Sequence, residues 1–281
     1  MAKASAKRFL SPPGLPAAIT LHISPAIREV EGTQVQRLLA DAAPALPSAH
    51  LSGDMMASPG GRRAAVAFAA ARIQSPQVEG EFLAPKAGDF EFELQADSTG
   101  EPGPLSLLHT RLYDGLRILQ GALSLIPPEE RATNHLHVWV TRRLLVTYSK
   151  DDYRYHARFA VHGYPTAFSV PALRYAPAPS KRAAIMQVLL ARQGLPPEMA
   201  ARAVEEQFAS ENYDPEDPRL VSAAVVSSTL QACARAAGLE AFCPDGSCRL
   251  FNPHRKPEFL ATILSHGLCK DHKKLFGGGA K

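Results

Sequence analysis

The sequence predicts an α+β fold in which a mixed sheet packs against helices and a C-terminal tail carries zinc knuckles. The centre of the chain is rich in β-branched and aromatic residues and predicts four successive strands, at His135–Val140, Arg143–Tyr148, Tyr155–His162 and Thr166–Val170. A further strand is expected at Ala18–Ser24, where apolar and polar residues alternate. Because strands and helices mix without a regular βαβ order, an α+β layer fold is favoured.

Helices are predicted where apolar residues recur every three or four positions, or where a proline opens a run of helix-forming residues. They are expected at Glu29–Ala43, Gly61–Ile73, Leu105–Ile126, Lys181–Gln193, Pro196–Ser210, Pro218–Ala237 and Pro257–His266. The clearest is Leu105–Ile126, which has leucines along one side and ends before Pro127 and Pro128. Residues 77–103 are polar and interrupted by glycine and proline, so we expect a long loop there with a short strand at Phe90–Leu94.

Composition sets the broad class of the protein. The chain has 281 residues, of which 46% are hydrophobic and 21% charged, enough to bury a full core. We expect an N-terminal α/β portion over residues 1–104 and a second portion over residues 105–281, joined as one continuous domain. The 24 prolines and 19 glycines follow no repeat, which excludes collagen and coiled-coil architectures.

Charge and hydropathy bear on partners and location. No window of about 18 residues is uncharged and apolar, so no membrane-spanning helix is predicted. The net charge of +4 is small and its lysines and arginines are scattered, so nucleic acid is not expected as a partner on charge alone. Residues 1–14 are basic but lack the apolar core of a secretory signal, and we therefore expect a cytoplasmic location.

The strongest chemical signal lies in the tail. Cys243 and Cys248 form a C-x4-C pair, and after a spacer of 20 residues Cys269 and His272 form a C-x2-H pair. Three thiolates and an imidazole are the ligand types that zinc prefers, so the spacing predicts one structural zinc per chain with a closed set of four protein ligands. His254 is a rival fourth ligand. The alternative is three reduced, buried cysteines beside a surface histidine.

Two polar groups in the β-rich centre are candidate binding residues. His135 and His137 lie two apart on a predicted strand and therefore share a face. With His156 or His162 from a neighbouring strand they could form a second metal site, although such a pair is more often structural. His156 and Arg158 are expected side by side on a central strand facing a cleft, where Arg158 could bind a carboxylate or phosphate; the alternative is a solvated hairpin.

Separate runs of the sequence resemble a prokaryotic family labelled as metallopeptidases, itself archaemetzincin-like and so metzincin-related. The runs are Leu112–Gly115, Arg154–Arg158, Asp217–Leu220 and Cys248–His254. Archaemetzincins carry a zinc-binding helix with the motif H-E-x-x-H-x-x-G-x-x-H, followed by C-x4-C and then C-x2-C. Gly238 and the three tail cysteines are similar in order, and His272 stands at the place of the last cysteine. The resemblance covers roughly Leu105 to His272 and implies a metzincin-like mixed sheet.

The sequence departs from archaemetzincins where the chemistry should lie. If Gly238 is the motif glycine, the first histidine, the glutamate and the second histidine become Gln231, Ala232 and Arg235. Counting from Cys243 instead places Ala232, Cys233 and Ala236 there, and no H-E-x-x-H occurs anywhere in the chain. A metzincin needs those histidines for zinc and the glutamate as a base. We therefore expect a zinc-binding pseudo-enzyme that binds a peptide or protein ligand.

Two other functions remain open. The first is an active metal-dependent hydrolase that rebuilt its metal site from His135, His137 and His156. The second is a zinc module that binds nucleic acid through the basic residues around the knuckles, which are Arg249, Arg255, Lys256, Lys270, Lys273 and Lys274.

Overall fold

Two mixed sheets form the framework of the protein. The computed structural model describes residues 14–98, 111–132, 134–264 and 267–277. The strands are β1 Ala18–His22, β2 His50–Ser52, β3 Leu112–Asp114, β4 His135–Thr141, β5 Leu144–Ser149, β6 Arg154–Ala157, β7 Ala160–Val161 and β8 Thr166–Ser169. The main sheet has the order β2-β1-β4-β8-β7, in which the antiparallel pair is β7 with β8. In the small sheet, β5 pairs parallel with β3 and antiparallel with β6.

Helices cover both faces of the main sheet. They are α1 Gly32–Ala42, α2 Gly61–Ala69, α3 Ala87–Gln95, α4 Gly115–Ala122, α5 Lys181–Arg192, α6 Pro197–Gln207, α7 Pro218–Ala236, α8 Lys256–Leu264 and α9 Lys270–Leu275. On one face, Leu136 and Val138 of β4 share a core with α1 and α7. On the other, Trp139 packs with α2 and α4. The predicted mixed sheet packed with helices is confirmed.

The alternation of side chains along β4 decides what each face of the main sheet carries. Residues two apart on a strand point the same way. Leu136, Val138 and Val140 therefore enter the core beneath α7, whereas His135 and His137 share the opposite face with Trp139. The helix α7 is buried along most of its length, from Leu220 to Ala234.

The prediction of a loop with a short strand at Phe90–Leu94 is wrong, because this segment belongs to α3. The Asp89 carboxylate accepts a hydrogen bond from the backbone N–H of Lys86 at 2.7 Å, which caps the start of the helix. Glu93 follows Asp89 by one helical turn, so both carboxylates reach Arg72 from the same face. A partner distant in the sequence therefore favours a helix that local patterning did not predict.

The prediction of one helix over Leu105–Ile126 is also wrong in its extent. Residues 105–110 lie outside the described part of the chain. From Leu112 to Asp114 the chain is strand β3, and α4 begins at Gly115 because the Asp114 carboxylate accepts hydrogen bonds from the N–H groups of Leu116 and Arg117, both at 3.0 Å. The regular spacing of leucines therefore extends over both a strand and a helix, and it does not mark one continuous helix. Leu116, one of these leucines, is exposed.

The predicted strand Tyr155–His162 divides between the two sheets. Strand β6 pairs with β5 in the small sheet, and β7 pairs with β8 in the main sheet. The chain crosses between them at Arg158, whose N–H donates to the carbonyl of Leu145, and Phe159, whose carbonyl accepts from Ser169. Neither β2 nor α9 was predicted. Among the described residues, no helix has the length and apolar character needed to cross a bilayer.

A buried ion network ties α3 to both sheets. Glu93 accepts hydrogen bonds from the guanidinium groups of Arg72 and Arg143 at 2.6 and 2.7 Å, and from the hydroxyl of Tyr113 at 3.0 Å. Arg143 also donates to Asp97 at 2.7 Å, and Asp97 accepts from Thr141 at the end of β4. Since Glu93 and Arg143 are wholly buried, each charge depends on its partners for compensation.

We expect Glu93→Gln to lower the free energy of unfolding by about 3 to 5 kcal/mol, because it leaves buried guanidinium groups without a full counter-charge. Urea denaturation followed by circular dichroism measures this. The matched control is Glu91→Gln on the exposed side of the same helix, which should change stability by less than about 0.5 kcal/mol. Equal midpoints for the two variants would show that the network does not stabilise the fold.

Candidate functional site

The first cysteine pair lies in a compact turn after α7. Gly238 adopts a left-handed conformation with φ of 77° and directs the chain away from the end of the helix. The N–H of Cys243 donates to the carbonyl of Leu250 at 2.9 Å, and the N–H of Cys248 donates to that of Asp245 at 3.0 Å. These bonds place both thiols on the inner side of one tight turn.

The second pair is held by the short helix α9. Cys269 stands at the N-terminal boundary of α9, and His272 follows one turn later. The backbone N–H of Cys269 approaches the sulfur of Cys248 at 3.4 Å, which joins this pair to the first. Helical spacing therefore turns Cys269 and His272 towards the same point.

The four side chains form one cluster with the dimensions of a zinc site. Their ligand atoms all lie within 4.8 Å of one another. In a tetrahedral zinc site, two thiolates lie about 3.8 Å apart and a thiolate and an imidazole nitrogen about 3.6 Å apart, given the usual bond lengths. Here Cys243 Sγ lies 3.8 Å from Cys269 Sγ, and Cys248 Sγ lies 3.6 Å from His272 Nδ1. The Cys269 Sγ–His272 Nδ1 separation is shorter, at 3.0 Å. The residues present fit a metal ion.

The protonation of the cluster follows from burial and mutual proximity. Burial raises the pKa of Cys243 to about 12, with a further contribution from Cys248, and burial also raises the pKa of Cys248. Burial opposes ionisation of Cys269 too, but hydrogen bonds from backbone N–H groups of α9 leave its pKa below the usual value. A bound cation would favour thiolates at all three positions.

Two other candidates in this region lie outside the cluster. His254 is exposed, and its backbone N–H donates to the carboxylate of Glu258 at 3.2 Å. Cys233 is buried within α7, where burial raises its pKa to about 12. His272 rather than His254 therefore completes the group with the three cysteines.

A second cluster forms around the predicted pair His135 and His137. The carboxylate of Glu130 and the two imidazoles bring their ligand atoms within 4.8 Å of one another. Two residues of β1 contact the histidines from the side: Thr20 Oγ1 lies 2.9 Å from His135 Nε2, and His22 Nε2 lies 3.0 Å from His137 Nδ1. Sequence reasoning missed Glu130, Thr20 and His22. Only Glu130 lies near the histidines in sequence, five residues before His135.

Burial and neighbouring imidazoles disfavour the protonated forms of His22 and His137. Burial, together with the neighbouring His137, lowers the pKa of His22 to about 3. Burial also lowers the pKa of His137, with a contribution from His135. Neutral imidazoles present a lone pair, which is the form that binds metal ions.

His156 does not join His135 and His137, because it lies on the small sheet. Its Nε2 contacts the carboxylate of Asp152 at 2.7 Å, and Arg158 Nε donates to Thr147 Oγ1 at 2.8 Å. The prediction that they lie on a central strand is wrong, since β6 is an edge strand and Arg158 follows its end. That they bind a ligand stays a prediction.

Comparison with known protein families identifies the family to which the chain belongs. The family model described as "Probable metallopeptidase family (DUF6775)" matches residues 16–278. The chain belongs to this family. No curated protein and no solved structure matches the chain.

The helix α7 precedes the cysteine pair and contains the positions at which a metzincin would carry its zinc ligands. Gln231 is buried there, and its amide donates to the carbonyl of Leu250 at 3.4 Å while its oxygen lies 3.3 Å from His162 Nε2. Ala232 has no donor atom in its side chain, and Arg235 is exposed and cationic. The sequence of α7 contains no histidine or glutamate, so the helix itself offers no metal ligand of the metzincin kind.

We expect Cys248→Ser to lose the metal held by the tail cluster, because serine replaces a buried thiolate at the centre of the group. Metal content per chain, measured by mass spectrometry of the purified protein, tests this. The matched control is Cys233→Ala, which removes the cysteine outside the cluster and should retain the metal. A purified wild-type protein without stoichiometric metal and with four titratable thiols would contradict the expectation.

Proposed function

We propose that this chain is a zinc-stabilised member of the metallopeptidase family whose tail holds one structural zinc ion. Cys243, Cys248, Cys269 and His272 are the four ligands, and the spacing of their donor atoms is the observation that carries the proposal. Three soft sulfur ligands and one imidazole favour zinc over calcium or magnesium, which prefer oxygen. Four protein ligands leave no coordination position for a substrate.

The zinc would attach the tail to the main core. Leu250 follows the first cysteine pair and Phe276 follows the second pair, and both are wholly buried in the core beneath the main sheet. The carbonyl of Phe276 accepts a hydrogen bond from the N–H of Ala45 at 3.0 Å, close to the end of α1. Structural zinc stabilises a fold by binding the folded form only, so removing it should loosen α9 and the turn at Cys243 together.

We further propose that the chain is archaemetzincin-like and lacks metzincin peptidase chemistry on α7. The order of helix, left-handed Gly238 and cysteine pair supports this relationship. The chemistry of a metzincin needs an open metal and a nearby base, and Gln231, Ala232 and Arg235 provide neither. The cationic Arg235 would also repel a divalent ion.

A peptide or protein is the ligand class we propose for such a protein. In support, a groove of about 810 Å³ runs between α2 and α4, and Arg63, Arg117 and Arg131 line it. Arg117 is held in place by the ring of Phe82, whose centre lies 3.6 Å from the guanidinium carbon. Guanidinium groups bind carboxylates in a bidentate manner, so acidic side chains or a C-terminus would suit this groove. The free cysteines of the tail cluster also support a cytoplasmic location, where thiols stay reduced.

We expect the purified protein not to cleave unstructured peptide substrates, with zinc supplied in excess, because α7 cannot activate a water molecule. Mass spectrometry of the substrates measures cleavage, and a mock preparation from cells without the protein controls for contaminants. Chelators should lower the melting temperature instead.

Chelator-sensitive cleavage that disappears in Gln231→Ala would contradict the absence of chemistry on α7. Cleavage that disappears in the double variant His135→Ala, His137→Ala would favour a hydrolase with a metal site rebuilt on β4.

A further inference from the structure

We propose that Glu130, His135 and His137 form a second metal site, open on one side, that binds a divalent transition-metal ion such as zinc. This site is separate from the tail cluster and does not depend on the function proposed above. Two imidazoles and one carboxylate are a ligand set typical of zinc sites that keep a fourth position for water or substrate. The tail cluster, by contrast, uses four protein ligands.

The main sheet places the two histidines. Their rings stack with centroids 4.2 Å apart, as expected for residues two apart on one strand. His137 is wholly buried, and its Nε2 points to Glu130, 3.3 Å from the carbonyl oxygen and 3.7 Å from Oε2. His135 uses Nε2 for Thr20, which leaves Nδ1 as its nitrogen available for a metal. Glu130 and His135 are both partly exposed, and the Glu130 side chain, at 40% exposure, gives the site access to solvent.

Each histidine has the second contact that metal-binding histidines usually make. Ligand imidazoles are normally oriented by a hydrogen bond from the ring nitrogen that does not bind the metal. Thr20 Oγ1 provides this contact for His135, and His22 Nε2 provides it for His137 at 3.0 Å. Both partners come from β1, the strand beside β4. Because each of the two candidate ligands has its own orienting partner, both imidazoles are preoriented for metal binding.

Glu130 is also held in position. It closes a short 3-10 turn over Pro128–Glu130, and its carbonyl accepts a hydrogen bond from the hydroxyl of Tyr164 at 2.6 Å. The ring of Tyr164 lies edge-on to His137 with centroids 5.9 Å apart. The backbone of Glu130 is therefore positioned while its carboxylate remains able to turn towards the two imidazoles.

Hydrogen bonds do not satisfy all the polar groups around the proposed site. His22 is 7% exposed, and its Nδ1 is buried with no hydrogen-bond partner. A carboxylate oxygen and two imidazole nitrogens lie within 4.8 Å of one another, where a bound cation would interact favourably with all three. These ligands are nitrogen and oxygen, so the preferred ions are zinc and its neighbours in the first transition series.

The test is the number of metal ions bound per chain in the full-length protein. After saturation with zinc and removal of the excess, we expect two ions in the wild type and one in Glu130→Gln. The matched control Glu129→Gln changes the adjacent exposed carboxylate and should keep two. Thr20→Val, which removes only an orienting partner, should weaken binding of the second ion by about 10-fold to 100-fold.

Cobalt in place of zinc distinguishes the two sites by spectroscopy. Cobalt in the tail cluster gives sulfur-to-metal charge-transfer bands, whereas cobalt bound by Glu130, His135 and His137 gives ligand-field bands without them. Glu130→Gln and His135→Gln should each lose the second set and keep the first, and thermal unfolding by circular dichroism verifies that each variant is folded.

Two results would overturn the inference: a single ion in the wild type that survives in Glu130→Gln, or a second ion that remains in both Glu130→Gln and His135→Gln. A single ion lost in Glu130→Gln but kept in Cys248→Ser would uphold this site and refute the structural zinc.

Discussion

The parallel pairing of β1 with β4 is the constraint on which the rest of the structure depends. It joins residues that are 117 positions apart, setting Thr20 beside His137 and His22 beside Trp139. One face of this pair is apolar and is covered by α1 and α7. The opposite face carries the histidines at its start and Trp139 further along. Both candidate metal sites therefore depend on this sheet. The histidines lie on it directly, and the cysteine tail follows α7, which packs against it.

The two sites differ in what their ligands allow. The tail cluster combines three thiols with one imidazole, and burial raises the pKa of the Cys243 and Cys248 thiols. Its four ligands would surround the ion completely, which suits a structural role. Glu130, His135 and His137 would supply three ligands, two of them partly exposed, which suits an exchangeable fourth ligand. In this member of a family described as metallopeptidase, both groups of candidate metal ligands lie outside α7.

Local patterns predicted many of the elements. The helices at Lys181–Gln193, Pro196–Ser210 and Pro218–Ala237 are confirmed to within a few residues, because proline or serine at their starts acts through neighbouring backbone groups. The strand at His135–Val140 is confirmed for the same reason, since its alternation is a property of one short segment. Where a distant charge stabilises a segment, as Arg72 and Arg143 do for α3, sequence patterning predicted the wrong structure.

The sequence by itself determined the ligand types of the tail, because the members of each pair lie three to five residues apart and a single turn brings them together. It also determined that His135 and His137 share a face, which follows from the geometry of one strand. Only the tertiary structure decided that Glu130 rather than His156 completes that group, and that Thr20 and His22 orient it. The reason is physical: strand pairing across 117 residues is fixed by burial of the whole sheet, and no short segment contains that information.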